Sequence, residues 1–264
     1  MSADLSDAGL PDSSGSAEAG GITSEAGGSA PEAGGSVPPP RISIVVPAFN
    51  EGAILRGTLE QIVAAFPDAE VIVVDDGSSD DTAEVARSFA PAVAVLSRES
   101  NVGKGYAVRV GMLAAEGHIV LFTDADLPFG VAGIERLVRL LDEHPEVDAA
   151  IARKIGAYRG LSYRAARAVV RAGVRRSLRI VHEDTQAGLK GFRRKAAHAI
   201  FSECVVNGFA ADMEVLALAQ RDALVVESVP LRVVNDALRP STFTVGHGVR
   251  LIREIRQIRR RLDT

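Results

Sequence analysis

From Arg41 onward, apolar residues gather in short unbroken runs that alternate with stretches of helical spacing. Ile42-Ser43-Ile44-Val45-Val46-Pro47, Val71–Val74, Val93–Leu96 and Ile119–Phe122 are too short for buried helices and are bounded by turn residues, so they read as strands. Between them Leu55, Leu59, Ile62, Val63 and Phe66 recur at helical spacing. A second helix carries Ala83, Val85, Ala86 and Phe89, with Ser79 or Asp80 placed to cap it. Asn101–Gly105 leads into a third helix reaching to about Glu116. A helix near Gly130–His144 and a strand Val147–Ala152 continue the alternation. Strands that are apolar throughout belong to sheets covered on both faces. The expected fold is therefore α/β, with a mostly parallel central sheet and helices on either side.

The second half is less regular. From Ile151 to His182 there are nine basic residues and no acid, set against an apolar face of Tyr163, Val169, Val170, Val174, Leu178 and Val181. A polar loop, His182–Gly188, precedes Leu189-Lys190-Gly191-Phe192. Helices are expected over Arg193–Glu203 and from Asp212, a strand over Leu224–Val229, and a last helix over about Val245–Leu262. That last helix sets Val249, Ile252, Ile255, Ile258 and Leu262 against six arginines. A face of one sign suits an anionic surface or a phosphate, and packing with a solvated basic face is the equal alternative.

Residues 1–40 differ in kind. They hold no Lys, Arg or aromatic residue, and Glu-Ala-Gly-Gly recurs from Glu18, Glu25 and Glu32. Such a spacer buries too little apolar surface to offset its ordering and is expected to be disordered. The folded domain is expected over 41–264. The tail also sets the charge balance. Six of the 34 acidic residues lie in it, so 28 face the 30 basic residues of the remainder. The single Cys204 excludes an internal disulfide and fits a cytoplasmic setting. No run approaches the roughly 18 apolar residues that span a bilayer, so attachment to a membrane face would be peripheral. No nucleic-acid recognition motif accompanies the basic stretches, and nucleic acid is not an expected partner.

The candidate chemistry sits at the ends of the expected strands. Asp124 and Asp126 follow Ile119–Phe122 directly. In an open α/β sheet that edge is where ligands bind. Two carboxylates so close repel unless a cation or donors stand between them. A hard divalent ion, shared with substrate phosphates, meets that need.

Four stretches in order, Val46-Pro47-Ala48-Phe49-Asn50-Glu51, Val74-Asp75-Asp76-Gly77-Ser78-Ser79-Asp80, Asn101-Val102-Gly103-Lys104-Gly105 and Asp124-Ala125-Asp126, resemble the signatures of inverting glycosyltransferases of the GT-A fold in family two. Asp184–Arg194 and Gly208–Glu214 resemble the dolichyl- and polyprenyl-phosphate hexose synthases within it, with Asp184-Thr185-Gln186 leaning to the glucosyl branch. The resemblance implies transfer of a hexose from UDP-glucose or GDP-mannose to a polyprenyl phosphate, with Mg²⁺ or Mn²⁺. It places Pro47, Ala48, Asn50 and Glu51 along the nucleotide pocket. Asp76 is expected at the base or ribose, supported by Asp75, with Lys104 near the diphosphate. Asp124 and Asp126 would hold the metal, beside Ala125. Arg153 with Arg164 or Arg167 would grip the acceptor phosphate. Asp184, Gln186 and Asp212 would face the sugar or acceptor, and Arg239 the donor phosphates. An ionised phosphate needs no strong base. With the alternative acceptor, a soluble hydroxyl, Asp184 or Asp212 becomes the candidate base. Pro128 stands where related enzymes often carry a Gln or Ser beside the metal motif, a departure that bears on a third ligand.

Overall fold

The computed structural model describes residues 23–24, 40–155, 178, 187–208, 210–234 and 245–262, the side chains of 23–24 and 245–252 excepted. The strands are β1 Thr23–Ser24, β2 Ile42–Ala48, β3 Glu70–Asp75, β4 Val93–Ser97, β5 Ile119–Thr123, β6 Ala149–Ile155, β7 Leu189–Arg193 and β8 Val226–Arg232. The helices are α1 Gly52–Ala65, α2 Thr82–Arg87, α3 Lys104–Ala114, α4 Gly130–Glu143, α5 Arg194–Glu203, α6 Ala211–Arg221 and α7 Val245–Leu262. The strands form one sheet in the order β1-β4-β3-β2-β5-β7-β6-β8. β2, β3, β4 and β5 run parallel, as do β6 and β8, whereas β7 lies antiparallel between β5 and β6.

The expected α/β architecture is present, and its strands are apolar throughout for the reason the pattern implied. Ile44, Val46 and Ala48 of β2 face α1, α2 and α4, meeting Leu55, Leu59, Leu137 and Leu141. Val45 faces the other way, into a second core of α3, α5 and α6 with Met112, Ile200 and Phe201. Both faces of a strand are thus withdrawn from water, and alternation is not required.

Three local expectations change. Leu189–Arg193 carried no strand assignment in the sequence, yet β7 pairs along its length with β5, Thr123 opposite Leu189 and Ile119 opposite Arg193. Helix α2 starts at Thr82 rather than directly after a Ser79 or Asp80 cap. Asp80 still serves it: its carboxylate accepts the Thr82 N–H at 3.1 Å, and that of Gly52, which opens α1, also at 3.1 Å. Within the stretch expected to be disordered, Thr23 and Ser24 pair antiparallel with Ser97 and Leu96 at the edge of β4.

Among the two basic helices of the sequence reading, α7 is described. Ile258 is buried, and Ile255 and Leu262 pack against α6 and its neighbours. Glu254 accepts the Ala210 N–H at 3.1 Å. The described apolar face of α7 therefore serves packing, and Arg253, Arg256, Arg259, Arg260 and Arg261 are exposed. Among the described residues no helix is long and apolar enough to cross a membrane.

α6 is anchored by a buried acid. Glu214 is 2 % exposed and accepts the N–H groups of Val205 and Val206 at 2.8–3.1 Å. Burial pushes its carboxyl above the ordinary glutamate range, and the two amides only partly oppose this. Unfolded glutamate titrates near pH ~4.3. Above that value, up to the raised one, the folded chain holds a proton that the unfolded chain has lost. The stability from this group is complete below the unfolded value and is lost as pH rises through the folded one. Urea unfolding across the window upward from pH ~4.3 is expected to show a steeper loss of stability with pH in the wild-type chain than in Glu214→Gln.

Candidate active site

The chain order fixes where a ligand can enter. From β2 the chain moves outward to β3 and β4, then returns to the other side of β2 as β5. The crevice beyond the C-terminal ends of β2 and β5 is the point where the strand order reverses. A cavity of about 800 Å³ opens there. Pro47, Ala48, Phe49 and Glu51 wall it from β2 and its following turn. Asp76, Asn101, Gly103, Lys104 and Gly105 supply a second side, Asp124-Ala125-Asp126 the floor, and Val206, Gly208, Ala211 and Asp212 the far wall.

The loops that shape it are tied to one another by backbone. Asn50 adopts φ 55°, donates its N–H to Ser78 Oγ at 2.9 Å and accepts the Ser79 N–H at 2.8 Å. The Asp75 carboxylate accepts the Ser78 N–H at 3.1 Å. Asn50 thus joins the turns after β2 and β3, Asp75 braces the second of them from within, and both stand outside the cavity wall. Asp76 is in the wall, and its carboxylate accepts the N–H groups of Val102 at 3.1 Å and Gly103 at 2.7 Å. Burial raises its pKa, against those amides and the Arg98 guanidinium. A guanidinium beside it and two amides upon it leave Asp76 shaping the loop before α3 as much as facing a ligand.

That loop is glycine-rich because it touches the far wall. Gly103 has φ +130°, and a Cβ there would stand 2.2 Å from the Asn207 carbonyl oxygen. A Cβ on Gly105, whose N–H donates to that oxygen at 3.0 Å, would meet Val206 O and Ala211 Cβ at 2.5 Å. The close approach sets Lys104 over the cavity floor, where its ammonium pairs with Asp124. Desolvation works against that charge, but Asp124, Asp212 and Asp126 outweigh it and hold the lysine pKa above its ordinary value.

Asp124 is held from the opposite side by β7. Its N–H donates to Gly188 O at 2.9 Å, and a Cβ on Gly188 would stand 1.8 Å from Asp124 Oδ2. Glycine is required there because the carboxylate occupies the space. The turn continues with Leu127 N–H donating to Asp124 O at 2.9 Å and with Leu127 in the left-handed region at φ 46°. Asp126 stands two residues on, half-buried in the same floor.

Two polar residues that sequence reading passed over lie beneath the site. Lys190 is fully buried in β7 under the Phe122 ring. It donates to Asp212 at 2.5 Å and to Ala187 O at 2.7 Å. Thr58, 4 % exposed on α1, donates to Ala125 O at 2.6 Å. Both carried a signal: a lysine inside the apolar run Leu189–Phe192, and a threonine on the stripe of Leu55, Leu59 and Ile62.

The structure thus brings Pro47, Ala48, Glu51, Asp76, Lys104, Asp124, Ala125, Asp126 and Asp212 to one cavity. Arg153 stands half-buried near the C-terminal end of β6, opposite Pro230, outside the cavity wall. Arg164, Arg167, Asp184, Gln186 and Arg239 lie outside the described residues. Asp124 and Asp126 suit a hard divalent ion: two carboxylates in one floor, one of them already facing an ammonium. Among the described residues no group of three His, Cys, Asp or Glu could hold a metal. The remaining ligands would come from a substrate and water, as is usual for Mg²⁺.

A parallel sheet with a switch-point cavity, two carboxylates at the end of its fourth long strand and a lysine above them defines a GT-A glycosyltransferase domain. The chain belongs to glycosyl transferase family 2, whose model matches residues 43–201. It is 33 % identical over 221 residues to the dolichyl-phosphate beta-glucosyltransferase of Drosophila melanogaster, covering 72 % of this chain and 66 % of that protein. The human dolichyl-phosphate beta-glucosyltransferase is 30 % identical over 204 residues, covering 68 % of this chain and 63 % of that protein. The chain therefore spans just under two thirds of the length of these relatives. The fold matches the glucosyl-3-phosphoglycerate synthase of Mycobacterium tuberculosis in complex with UDP with a TM-score of 0.63 at 26 % identity, over 82 % of this chain and 79 % of that one. The same enzyme has been solved with Mn²⁺, UDP and glucosyl-3-phosphoglycerate, a match with a TM-score of 0.60 at 26 % identity over 82 % and 76 % of the two chains.

The Lys190–Asp212 pair yields a test independent of any substrate. Removing one partner of a buried ion pair leaves the other charge without compensation. Asp212→Ala is expected to lower stability by about 3 kcal/mol in urea unfolding. Adding Lys190→Met to that variant is expected to restore more than half of the loss.

Proposed function

We propose that this chain is an inverting hexosyltransferase that moves glucose from UDP-glucose to a polyprenyl phosphate. The dolichyl-phosphate glucosyltransferase relatives support the acceptor class, and the match to a UDP-complexed synthase supports the donor. The observation that carries the reading is the engagement of Asp212. It is the described carboxylate that the family resemblance directs to the acceptor, and it is paired with a fully buried lysine at 2.5 Å. Its Oδ1 already accepts a hydrogen bond from that ammonium, so the carboxylate is engaged by Lys190 within the fold rather than turned to an acceptor hydroxyl. A hydroxyl acceptor calls for a base, whereas a phosphate brings its own anion.

The residues would then divide the work as follows. Pro47, Ala48, Glu51 and Asp76 bound the nucleotide end of the cavity. Lys104 places positive charge where the diphosphate departs. Asp124 and Asp126 would hold Mg²⁺ or Mn²⁺, which supplies Lewis-acid neutralisation of the leaving nucleotide. The acceptor phosphate oxygen attacks the anomeric carbon from the face opposite the diphosphate. The new C–O bond forms as the bond to the diphosphate breaks, and configuration inverts. Catalysis rests on holding two phosphates in line and on preorganised positive charge. Arg153 and the basic residues following it would meet the acceptor phosphate, because guanidinium matches its geometry.

Purified protein supplied with radiolabelled UDP-glucose and Mn²⁺ is expected to label a short polyprenyl phosphate as an acid-labile glycolipid. Labelling of 3-phosphoglycerate instead would overturn the lipid acceptor and keep the donor site. Asp126→Ala is expected to abolish transfer at saturating Mn²⁺ while its circular dichroism matches the wild-type protein. Full turnover in that variant would remove the assignment of the metal to this turn.

A further inference from the structure

We propose that Thr58 is a positioning residue for the metal-binding turn, acting through the Ala125 carbonyl. The inference rests on the proposed metal role of Asp124 and Asp126 and extends it to a helix that does not touch the cavity.

α1 packs on the sheet through Gly52, Leu55, Thr58, Leu59 and Ile62, a single stripe at helical spacing. Thr58 is the hydroxyl-bearing member of that stripe. A helical threonine can satisfy its hydroxyl by bonding back to the preceding turn of its own helix. Here the hydroxyl leaves the helix and donates to Ala125 O at 2.6 Å, across 67 positions of sequence. Both residues are buried, at 4 % and 5 % exposure.

The acceptor is well placed to matter. The Ala125 carbonyl belongs to the peptide unit that joins Ala125 to Asp126. Its direction sets the plane from which the Asp126 side chain departs. The other contacts of the turn fix different parts of it. Gly188 O takes the Asp124 N–H, and Asp124 O takes the Leu127 N–H, each at 2.9 Å. Neither of these two engages the Ala125–Asp126 peptide unit, whose carbonyl takes the Thr58 hydroxyl. Leu127 follows in the left-handed region at φ 46°, a conformation that costs a branched side chain about 1 kcal/mol or more and persists only where surroundings hold it. Without the Thr58 hydroxyl, the buried Ala125 carbonyl loses the side-chain donor that fixes its peptide plane. The separation and mutual angle of the two carboxylates then loosen. A divalent ion that depends on two protein carboxylates, with no described third, is sensitive to that loosening.

The test is Mn²⁺ titration of the full chain at saturating UDP, read as free Mn²⁺ by electron paramagnetic resonance. Thr58→Val keeps the shape and removes the hydroxyl. It is expected to weaken Mn²⁺ binding roughly tenfold, the lower end for a residue that supports metal ligands. Thr58→Ser, which keeps the hydroxyl, is expected to bind close to the wild-type value. Transfer by Thr58→Val is expected to recover at high Mn²⁺, because the defect lies in metal affinity and not in turnover. If valine does not fold there, Thr58→Ala against Thr58→Ser isolates the hydroxyl. Asp126→Ala is the control for the metal site itself. Wild-type Mn²⁺ affinity in the hydroxyl-less variant, with binding lost in Asp126→Ala, overturns the role of Thr58 and leaves the metal site standing. Unchanged Mn²⁺ affinity in Asp126→Ala overturns the metal site and the inference together.

Discussion

The site depends on one close approach, the start of β7 against the end of β5. Gly188 O accepts the Asp124 N–H, and the Asp124 carboxylate lies where a side chain on residue 188 would be. That contact turns a strand end into a fixed platform for two acids. It is possible because β7 runs antiparallel, so its first residues arrive at the edge where the parallel strands finish. A parallel strand in that position would begin at the opposite edge and bring its first residues nowhere near Asp124. The inserted strand therefore does for the site what the parallel frame alone does not: it braces Asp124, in the floor of the crevice, from the side away from β2. The same strand carries Lys190 and so extends its reach to Asp212 on α6.

Charge in the crevice follows an alternating order. Lys190 meets Asp212, and Lys104 meets Asp124, with Asp212 and Asp126 adding to the field at Lys104. Each pair joins different elements, β7 to α6 and α3 to β5. Such pairing lowers the penalty of gathering acids and bases in a half-enclosed space. It also leaves the two pairs unequal. Lys190 is sealed beneath the Phe122 ring, while the Lys104 side chain is 45 % exposed above its acid. The sealed pair acts as structure. In the proposed mechanism the open one exchanges its partner for a ligand phosphate, because water already shares the cost of separating it.

The parallel core was legible in the sequence because burial on both faces leaves a simple trace, an unbroken apolar run that ends in a turn. The runs of β2 to β5 became strands within one residue of their expected limits, while β6 and β8 extend three residues past theirs. β7 left a weaker trace. Lys190 interrupts its apolar run, and a lysine reads as surface until its partner is known; Asp212 lies 22 residues further on. The acids of the floor were legible from their spacing and their place after β5. The division of labour among the loop residues was not. Asp75 has the supporting part expected of it and braces Ser78. Asn50 carries the residue type of a binding motif, yet its hydrogen bonds run to Ser78 and Ser79 and hold the loops. Only three-dimensional partners separate a residue that binds from one that shapes the binder. Thr58 shows the converse: its sequence neighbours are core residues, and its partner belongs to the site.

The apolar face of α7 bears on how a lipid acceptor could be met. A helix with apolar residues on one side and arginines on the other can lie on a membrane only if the apolar side is available. In α7, Ile258 is buried and Ile255 and Leu262 pack on the core. What it turns outward is positive charge, from Arg253 through Arg261. Charge without an inserted face gives attraction to an anionic surface that weakens as salt rises, not a lasting anchor. Capture of a lipid phosphate by such a domain would then rest on recognition of the headgroup at the cavity, with α7 contributing the approach. That division is consistent with the proposed acceptor, a phosphate that arrives already charged, and with a crevice in which Asp124 and Asp212 are each paired with a lysine.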